Sequence, residues 1–217
     1  MRVHLESLEQ MRTFAAAVAD HLCAGDLLIL TGNLGAGKTT FTQSLGKALD
    51  VTGRITSPTF VIAREHLSRT GGPALVHVDA YRLADGEELE DLDLDSELDE
   101  SITVVEWGAG MAEQLSSDHL DITITPVGDV DAKVAGDAGD AGGDELVSAD
   151  DELVSADDED ALEDERRTVD ITGHGAAWVA RMPEVEAAVS ALAGIRVDGS
   201  TSADRPGEDS ANEGDEP

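Results

Sequence analysis

The feature that most constrains the fold is a glycine-rich segment in the first fifth of the chain. Residues 32–39 read Gly-Asn-Leu-Gly-Ala-Gly-Lys-Thr and match the phosphate-loop pattern G-x-x-x-x-G-K-[ST]. The short apolar run 27–31 before it is typical of a strand buried on both faces of a parallel sheet, and residues 40–49 after it have helical spacing. This order of strand, loop and helix predicts an α/β fold in which the loop binds nucleotide phosphates.

The pattern assigns a role to each part of the loop. Glycines allow positive backbone torsions, so that main-chain N–H groups approach phosphate oxygens closely. Lys38 is expected to bridge the β- and γ-phosphates, and the Thr39 hydroxyl is expected to ligate Mg²⁺. The candidate nucleotide-binding residues are Gly32, Asn33, Leu34, Gly35, Ala36, Gly37, Lys38, Thr39 and Thr40.

Two acids stand at the ends of later apolar runs and are candidates for the chemistry beside the phosphates. Asp79 follows residues 75–78, and Glu106 follows residues 102–105. Because the carboxyl ends of strands in an open α/β sheet face the ligand crevice, both carboxylates are expected to reach the Mg²⁺–phosphate group. The lysines Lys38, Lys47 and Lys133 do not form the N-K-x-D pattern of guanine-specific proteins, which favours ATP over GTP.

The acidic residues are concentrated in three runs. The net charge is −33, from 47 acidic and 14 basic residues. Residues 129–165 carry −15, residues 85–100 carry −10 and residues 198–217 carry −6, which leaves about −2 on the rest of the chain. Adaptation to high salt would instead spread acids over the whole surface. A chain this acidic repels phosphate backbones, which excludes direct electrostatic binding of nucleic acid and of anionic membranes.

The domain organisation follows from the same charge runs. Residues 1–197 are expected to form a single α/β domain with a mainly parallel central sheet and a terminal antiparallel hairpin. The acidic segment 129–165 contains a tandem Asp-Glu-Leu-Val-Ser-Ala-Asp repeat and predicts a disordered insertion in that hairpin turn, between strands 120–125 and 169–172. Residues 198–217 predict a disordered tail.

Further elements are predicted by local patterns. Ser7 and Gln10 fit a capping box that begins a helix over residues 7–23. The other strands are expected at residues 59–63, 74–78 and 102–105.

Cysteine usage and the N-terminal segment bear on the compartment. Cys23 is the single cysteine, no Cys/His spacing indicates structural zinc, and the charged N-terminal residues lack the apolar core of a signal peptide. No run of about 18 apolar residues could span a bilayer. These features predict a cytoplasmic protein.

Several motifs together resemble one family, the bacterial tRNA threonylcarbamoyladenosine biosynthesis ATPases known as TsaE or YjeE. The phosphate loop alone is shared by many ATPases, and the remaining motifs are much more specific. The resemblance covers residues 5–128 and 166–180, and its landmarks are the loop at 32–41, Ser-Pro-Thr-Phe at 57–60, His-Val-Asp-Ala-Tyr-Arg-Leu at 77–83, Val-Glu-Trp at 105–107 and the segments 121–124 and 167–171.

The resemblance implies roles for particular residues. Lys38 and the backbone of residues 34–39 would hold the phosphates, while Thr39 and Glu106 would share the Mg²⁺ ion. Asp79 would act near the γ-phosphate or its water. Ser57, Pro58 and Thr59 resemble a switch loop that responds to the γ-phosphate, and Trp107 resembles a family residue linked to activity.

The function implied is that of a slow, partner-stimulated, Mg²⁺-dependent ATPase. It would support the TsaB–TsaD complex, which modifies tRNAs reading codons that start with A, and would meet tRNA only through these partners. Two alternatives stay open from the residues: a small-molecule P-loop kinase, and a nucleotide-gated binding module that does not hydrolyse ATP. A kinase usually has a lid that brings arginines over the phosphates. The sequence has no arginine-rich lid segment, and Arg166-Arg167 is its only arginine pair, which disfavours the kinase.

Overall fold

The structure is a computed structural model, and it describes residues 1–56, 63–90, 92, 98–128 and 164–198. The predicted insertion lies outside the described residues except for Asp164 and Glu165. The predicted tail lies outside them except for Asp198, which ends a strand. The predicted switch loop, Ser57, Pro58 and Thr59, also lies outside the described residues, as does most of the strand expected at 59–63.

Within the described residues the chain forms eight strands, four α-helices and two short 3-10 helices. The strands are β1 Arg2–Leu5, β2 Leu27–Thr31, β3 Ala63–His66, β4 Ala74–Asp79, β5 Ser101–Glu106, β6 His119–Pro126, β7 Arg167–Gly173 and β8 Arg196–Asp198. The helices are α1 Leu8–Ala19, α2 Lys38–Ala48, α3 Gly86–Glu90 and α4 Gly175–Ser190, and the 3-10 helices are Ala80–Arg82 and Ala112–Gln114.

All eight strands belong to one sheet with the order β3-β4-β5-β2-β6-β7-β1-β8. The four central strands β4, β5, β2 and β6 run parallel, whereas β3 and the three strands beyond β6 pair antiparallel. The expectation of a mainly parallel sheet is therefore correct only for the centre. The antiparallel pair β6–β7 also lies inside the sheet rather than at its end, because β1 and β8 extend the sheet beyond β7.

Helices cover both faces of the sheet. Leu28 and Leu30 of β2 face the larger core, which is shared with buried residues of α1, α2 and α4. Leu27 and Ile29 face the smaller core, which includes Leu89 of α3. Because successive strand residues point to opposite faces, burial on both sides explains why β2 is apolar without alternation.

Helix α1 starts where the capping pattern predicts it. The Ser7 hydroxyl accepts a hydrogen bond from the Gln10 N–H at 3.3 Å, and the Gln10 side chain accepts one from the Glu6 N–H at 2.7 Å. The helix ends at Ala19 rather than at residue 23, since the next residues tighten into i to i+3 hydrogen bonds from His21 and Leu22.

Candidate functional site

The glycine-rich segment connects β2 to α2, as the sequence predicts. Gly32 has a φ of +149°, and a Cβ placed on it would lie 2.3 Å from the carbonyl oxygen of Ile124 in the neighbouring strand β6. Gly37, the residue before α2, has a φ of +110°. Only glycine fits both positions without strain, so the pattern is needed for the chain to turn tightly into the helix.

The register of the sheet brings the two acids to the phosphate loop. Glu106 is the last residue of β5 and lies beside Leu30 of β2, one residue before Thr31 ends that strand. Asp79 is the last residue of β4 and lies beside Glu106. Both carboxylates therefore stand at the carboxyl edge of the parallel strands, where the loop begins.

Glu106 is held by hydrogen bonds to both of its carboxylate oxygens. The Thr39 hydroxyl donates to Glu106 Oε2 at 2.9 Å, and His77 Nε2 lies 2.8 Å from Glu106 Oε1. The side chains of His77 and Glu106 are 0% and 3% exposed. This chain of contacts joins the first turn of α2 to two adjacent strands through buried polar groups, which require such partners.

Lys38 lies over the loop from which it extends. Its ammonium donates to the carbonyl oxygens of Gly32 at 2.7 Å and Asn33 at 3.0 Å. Burial lowers the pKa of Lys38, and the nearby carboxylates of Glu106 and Asp79 act in the opposite direction. The buried cation thus lies within the field of both acids.

Trp107 directly follows Glu106 and covers Lys38. The lysine ammonium lies 3.5 Å from the centre of the indole ring, a cation–π contact. Trp107 has a φ of +62°, which is rare for a large side chain, and its N–H donates to the carbonyl of Leu30 at 2.9 Å. Strained backbone of this kind occurs often at functional sites.

Asp79 leads into the 3-10 helix that carries Tyr81. Its Oδ1 accepts a hydrogen bond from the Tyr81 N–H at 3.1 Å. The Tyr81 and Trp107 rings lie 5.1 Å apart between centroids, yet Tyr81 is 66% exposed. The pair therefore forms an aromatic wall of the site rather than part of the core.

These residues enclose one cleft of about 330 Å³. Its lining is Leu34, Gly35, Gly37, Lys38, Thr39, Thr40, Asp79, Tyr81, Glu106 and Trp107. Leu34 is 90% exposed at the mouth, while Gly32, Asn33 and Ala36 belong to the loop behind it. Of the predicted site residues that the structure describes, all except Gly32, Asn33 and Ala36 line this cleft.

A groove of about 820 Å³ between α1 and α2 is larger than this cleft. Its polar lining consists of basic and neutral side chains, and it contains no carboxylate. We place the functional site in the smaller cleft because a lysine, a hydroxyl and two acids converge there.

Two contributors to the site do not follow from the phosphate-loop pattern. His77 contacts Glu106, and its signal in the sequence is a histidine two residues before Asp79 on an otherwise apolar strand. Arg167, the first residue of β7, donates from Nε to the carbonyl oxygen of Ala36 at 2.9 Å. It supports the loop from a strand 131 residues away, so no local pattern indicates it.

None of the helices that the structure describes has the length and apolar character needed to cross a membrane.

The chain is similar to several named bacterial proteins. The tRNA threonylcarbamoyladenosine biosynthesis protein TsaE of Streptomyces coelicolor is 57% identical over 115 residues, which are 52% of this chain and 78% of that protein. The protein of the same name from Mycobacterium tuberculosis is 47% identical over 138 residues, 60% of this chain and 82% of the relative. The Bacillus subtilis protein of that name is 39% identical over 127 residues, 58% of this chain and 78% of the relative.

The fold is also similar to a solved structure. The crystal structure of Bacillus subtilis YdiB superposes with a TM-score of 0.59 and 24% identity, over 86% of this chain and 94% of that one. At this level of identity the likeness bears on the fold alone, and it supports a mixed α/β architecture with a single sheet flanked by helices.

A family model described as threonylcarbamoyl adenosine biosynthesis protein TsaE matches residues 5–133. That range includes the phosphate loop, both acids and Trp107, and it extends over more than half of the chain. The predicted resemblance is therefore confirmed, and the chain belongs to the TsaE family.

Proposed function

We propose that this chain binds ATP with Mg²⁺ and hydrolyses it slowly, and that the TsaB–TsaD complex stimulates this hydrolysis. Membership of the family gives the chain a role in tRNA threonylcarbamoyladenosine biosynthesis. The observation that supports an ATPase is the convergence of a lysine, a hydroxyl and two carboxylates on one cleft beside the glycine-rich loop. This set contains the parts that phosphoryl transfer needs.

The donors present fit Mg²⁺. Thr39 Oγ1 and Glu106 Oε2 are 2.9 Å apart, and both are hard oxygen ligands of the kind that Mg²⁺ prefers. These two residues would hold the ion, and His77 would keep the Glu106 carboxylate turned toward Thr39. When bound, Mg²⁺ would neutralise negative charge that develops on the phosphate oxygens during transfer.

The other residues of the cleft have complementary roles. The Lys38 ammonium now satisfies two loop carbonyls and is close enough to the loop to serve phosphate oxygens instead. The loop N–H groups and the start of α2 present partial positive charge to the same phosphates. Asp79 stands at the adjacent strand end, where a carboxylate can orient the attacking water.

The proposal also includes a fold class, protein partners and a cellular compartment. We assign the chain to the P-loop NTPase fold, with β6 and β7 as the hairpin that carries the insertion. A body with about −2 net charge outside its acidic runs is a poor binder of tRNA, so tRNA would be reached through the TsaB–TsaD complex. We place this activity in the cytoplasm.

Phosphate release from ATP, measured with and without purified TsaB–TsaD complex, tests the proposal. We expect slow release that the complex accelerates. Formation of a phosphorylated metabolite would favour a kinase instead, and ATP binding without release under both conditions would favour a nucleotide-gated binding module. Lys38→Ala should weaken ATP binding in calorimetry by on the order of tenfold or more.

Variants of the two acids separate their roles. We expect Asp79→Asn and Glu106→Gln to lower phosphate release by on the order of 100-fold, and only Glu106→Gln to raise the Mg²⁺ concentration needed for half-maximal ATP binding. Asp50→Asn is the matched control, because Asp50 is an exposed acid outside the cleft. Unchanged hydrolysis in either cleft variant would remove its assigned role.

A further inference from the structure

A second group of polar side chains lies at the other end of the central strands. His119, the first residue of β6, pairs with Leu27 at the start of β2, whereas the phosphate loop follows Thr31 at the end of β2. Four residues of strand separate the two positions by roughly 13 Å. The group is therefore distinct from the nucleotide cleft.

Three potential metal ligands converge at this end. His119 and Asp121 are two residues apart on β6 and therefore share a face of the sheet. His174, at the start of α4, is held beside them because its N–H donates to the carbonyl of His119 at 2.8 Å. One ligand atom from each residue lies within 4.8 Å of the others.

The individual contacts are close to those of a shared ion. His174 Nε2 lies 2.9 Å from Asp121 Oδ2, and His119 Nε2 lies 3.7 Å from Asp121 Oδ1. Two ligands of one tetrahedral zinc ion, each about 2.0 Å from the metal, lie about 3.3 Å apart. The His174–Asp121 contact is a little shorter than this spacing, and the His119–Asp121 contact is a little longer.

Hydrogen bonding directs lone pairs into the middle of the group. His119 Nδ1 lies 3.0 Å from the carbonyl oxygen of Ser116, which can only accept, so Nδ1 carries the proton in the neutral ring. This leaves a lone pair on Nε2, which faces Asp121 Oδ1. That oxygen is itself buried and has no hydrogen-bond partner among the residues described.

With a neutral His119 ring, an imidazole lone pair faces a buried carboxylate oxygen at 3.7 Å, and a cation, either a proton on Nε2 or a metal ion, relieves that contact. Histidines that bind metals typically donate their other ring N–H to a backbone carbonyl, as His119 does here. Both imidazoles contact the Asp121 carboxylate, and their rings stack with 4.5 Å between centroids.

We propose that His119, Asp121 and His174 bind one Zn²⁺ ion. Two imidazoles and one carboxylate form a ligand set that is intermediate between hard and soft, and such a set suits Zn²⁺ better than Mg²⁺ or Ca²⁺. The side chains of Asp121 and His174 are about 40% exposed, so water reaches the site and completes the coordination. The ion would join the start of β6, the end of β7 and the first turn of α4.

Zinc binding to the full chain is measured by competition with a chromophoric chelator, in a large excess of Mg²⁺. The excess Mg²⁺ occupies oxygen-only sites, including the acidic runs and the nucleotide cleft. We expect one equivalent of Zn²⁺ to bind, and His174→Ala and Asp121→Asn each to weaken that binding by on the order of tenfold or more. A Co²⁺-loaded sample should show visible absorption that His174→Ala removes.

His4→Ala is the matched control, because His4 pairs with Asp198 at 2.7 Å on the same sheet but belongs to no three-ligand group among the described residues. It should leave zinc affinity unchanged. The proposal is overturned if His174→Ala and Asp121→Asn bind zinc as tightly as the parent, or if the parent binds none and the group is only an ion-pair network. Asp121→Asn preserves side-chain shape, so it tests the site even if His174→Ala alters folding.

Discussion

At the residue scale, the geometry of Glu106 depends on a histidine that never reaches the cleft. Glu106 is 2% exposed, and its two oxygens are divided between Thr39 on one side and His77 on the other. Since a carboxylate that ligates a metal is oriented by its other hydrogen bonds, His77 is a positioning residue for the proposed Mg²⁺ site.

Replacing His77 tests that role. We expect His77→Phe to raise the Mg²⁺ concentration for half-maximal hydrolysis about tenfold, because Glu106 loses the partner that fixes its orientation. His77→Gln retains a hydrogen-bond donor and should restore most of the parent's Mg²⁺ dependence. Mg²⁺ titrations of phosphate release measure the effect, and equal shifts in both variants would indicate a packing role instead.

Whether a site residue can be predicted from the sequence depends on how far along the chain it lies from its partners. The loop residues and both acids were predicted because each follows a strand within a local pattern. His119 and His174 are 55 positions apart, and only the pairing of β6 with β7 brings them together. A contact between residues on strands that are distant in the sequence depends on how the strands pair, and no local sequence pattern indicates it. The contact of Arg167 with the phosphate loop was not predicted for the same reason.

At the scale of elements, α4 is attached to the rest of the domain by a partly buried ion pair. The Arg181 guanidinium donates to both carboxylate oxygens of Asp26, and it also stacks on Trp178 with 3.9 Å to the ring centre. Asp26 is 4% exposed and accepts a further bond from the Cys23 N–H. This pair links the helix to the turn before β2.

Removing the arginine leaves that carboxylate buried without its cation. We expect Arg181→Met to lower the free energy of unfolding in urea by about 3 kcal/mol. Arg196→Met is the control, because Arg196 faces Asp198 at 3.6 Å with both side chains more than half exposed, and it should cost less than about 0.5 kcal/mol. Equal decreases in the free energy of unfolding in the two variants would show that the Arg181–Asp26 pair stabilises the fold no more than an exposed ion pair does.

The elements that sequence patterns missed are those whose stability comes from distant partners. β1 and β8 have four and three residues, too few for alternation to be recognised. β1 pairs with β7, and β8 pairs with β1. α4 begins at Gly175, directly after Gly173 and His174, and contains Pro183, and glycine and proline usually interrupt helices. Its buried Trp178, Val185 and Val189 compensate by packing on the larger core.

At the scale of the whole molecule, the acidic insertion leaves and rejoins the domain through one paired junction. The Val127 N–H donates to the carbonyl of Arg166 at 3.0 Å, next to the last β6–β7 pair, Pro126 with Arg167. Glu165, at the predicted boundary, accepts a hydrogen bond from the Leu8 N–H at 3.0 Å in the first turn of α1. The end of the segment therefore supports the domain.

Two deletions separate the contribution of the acidic insertion to stability from that of the residues at its boundary. Replacing residues 130–162 with a short Gly-Ser turn should change the melting temperature by less than about 2 °C, because the junction keeps its own hydrogen bonds and loop-closure entropy varies slowly with length. Replacing 129–165 also removes Asp164 and Glu165. It should lower the melting temperature by about 2–4 °C, because the Leu8 N–H loses its acceptor, a loss of about 1 kcal/mol, and Arg166 loses its exposed ion pair. Equal melting temperatures would contradict the role of Glu165.

The position of β1 has a consequence for synthesis on the ribosome. Val3 and Leu5 are buried between β7 and β8, whose residues 167–170 and 196–198 are made more than 160 positions later. At about 5–20 residues per second, β1 waits on the order of ten to thirty seconds for its partners. All strands that frame the nucleotide cleft have been translated by residue 126, so the nascent chain holds the parts of the cleft while its first strand is still unpaired.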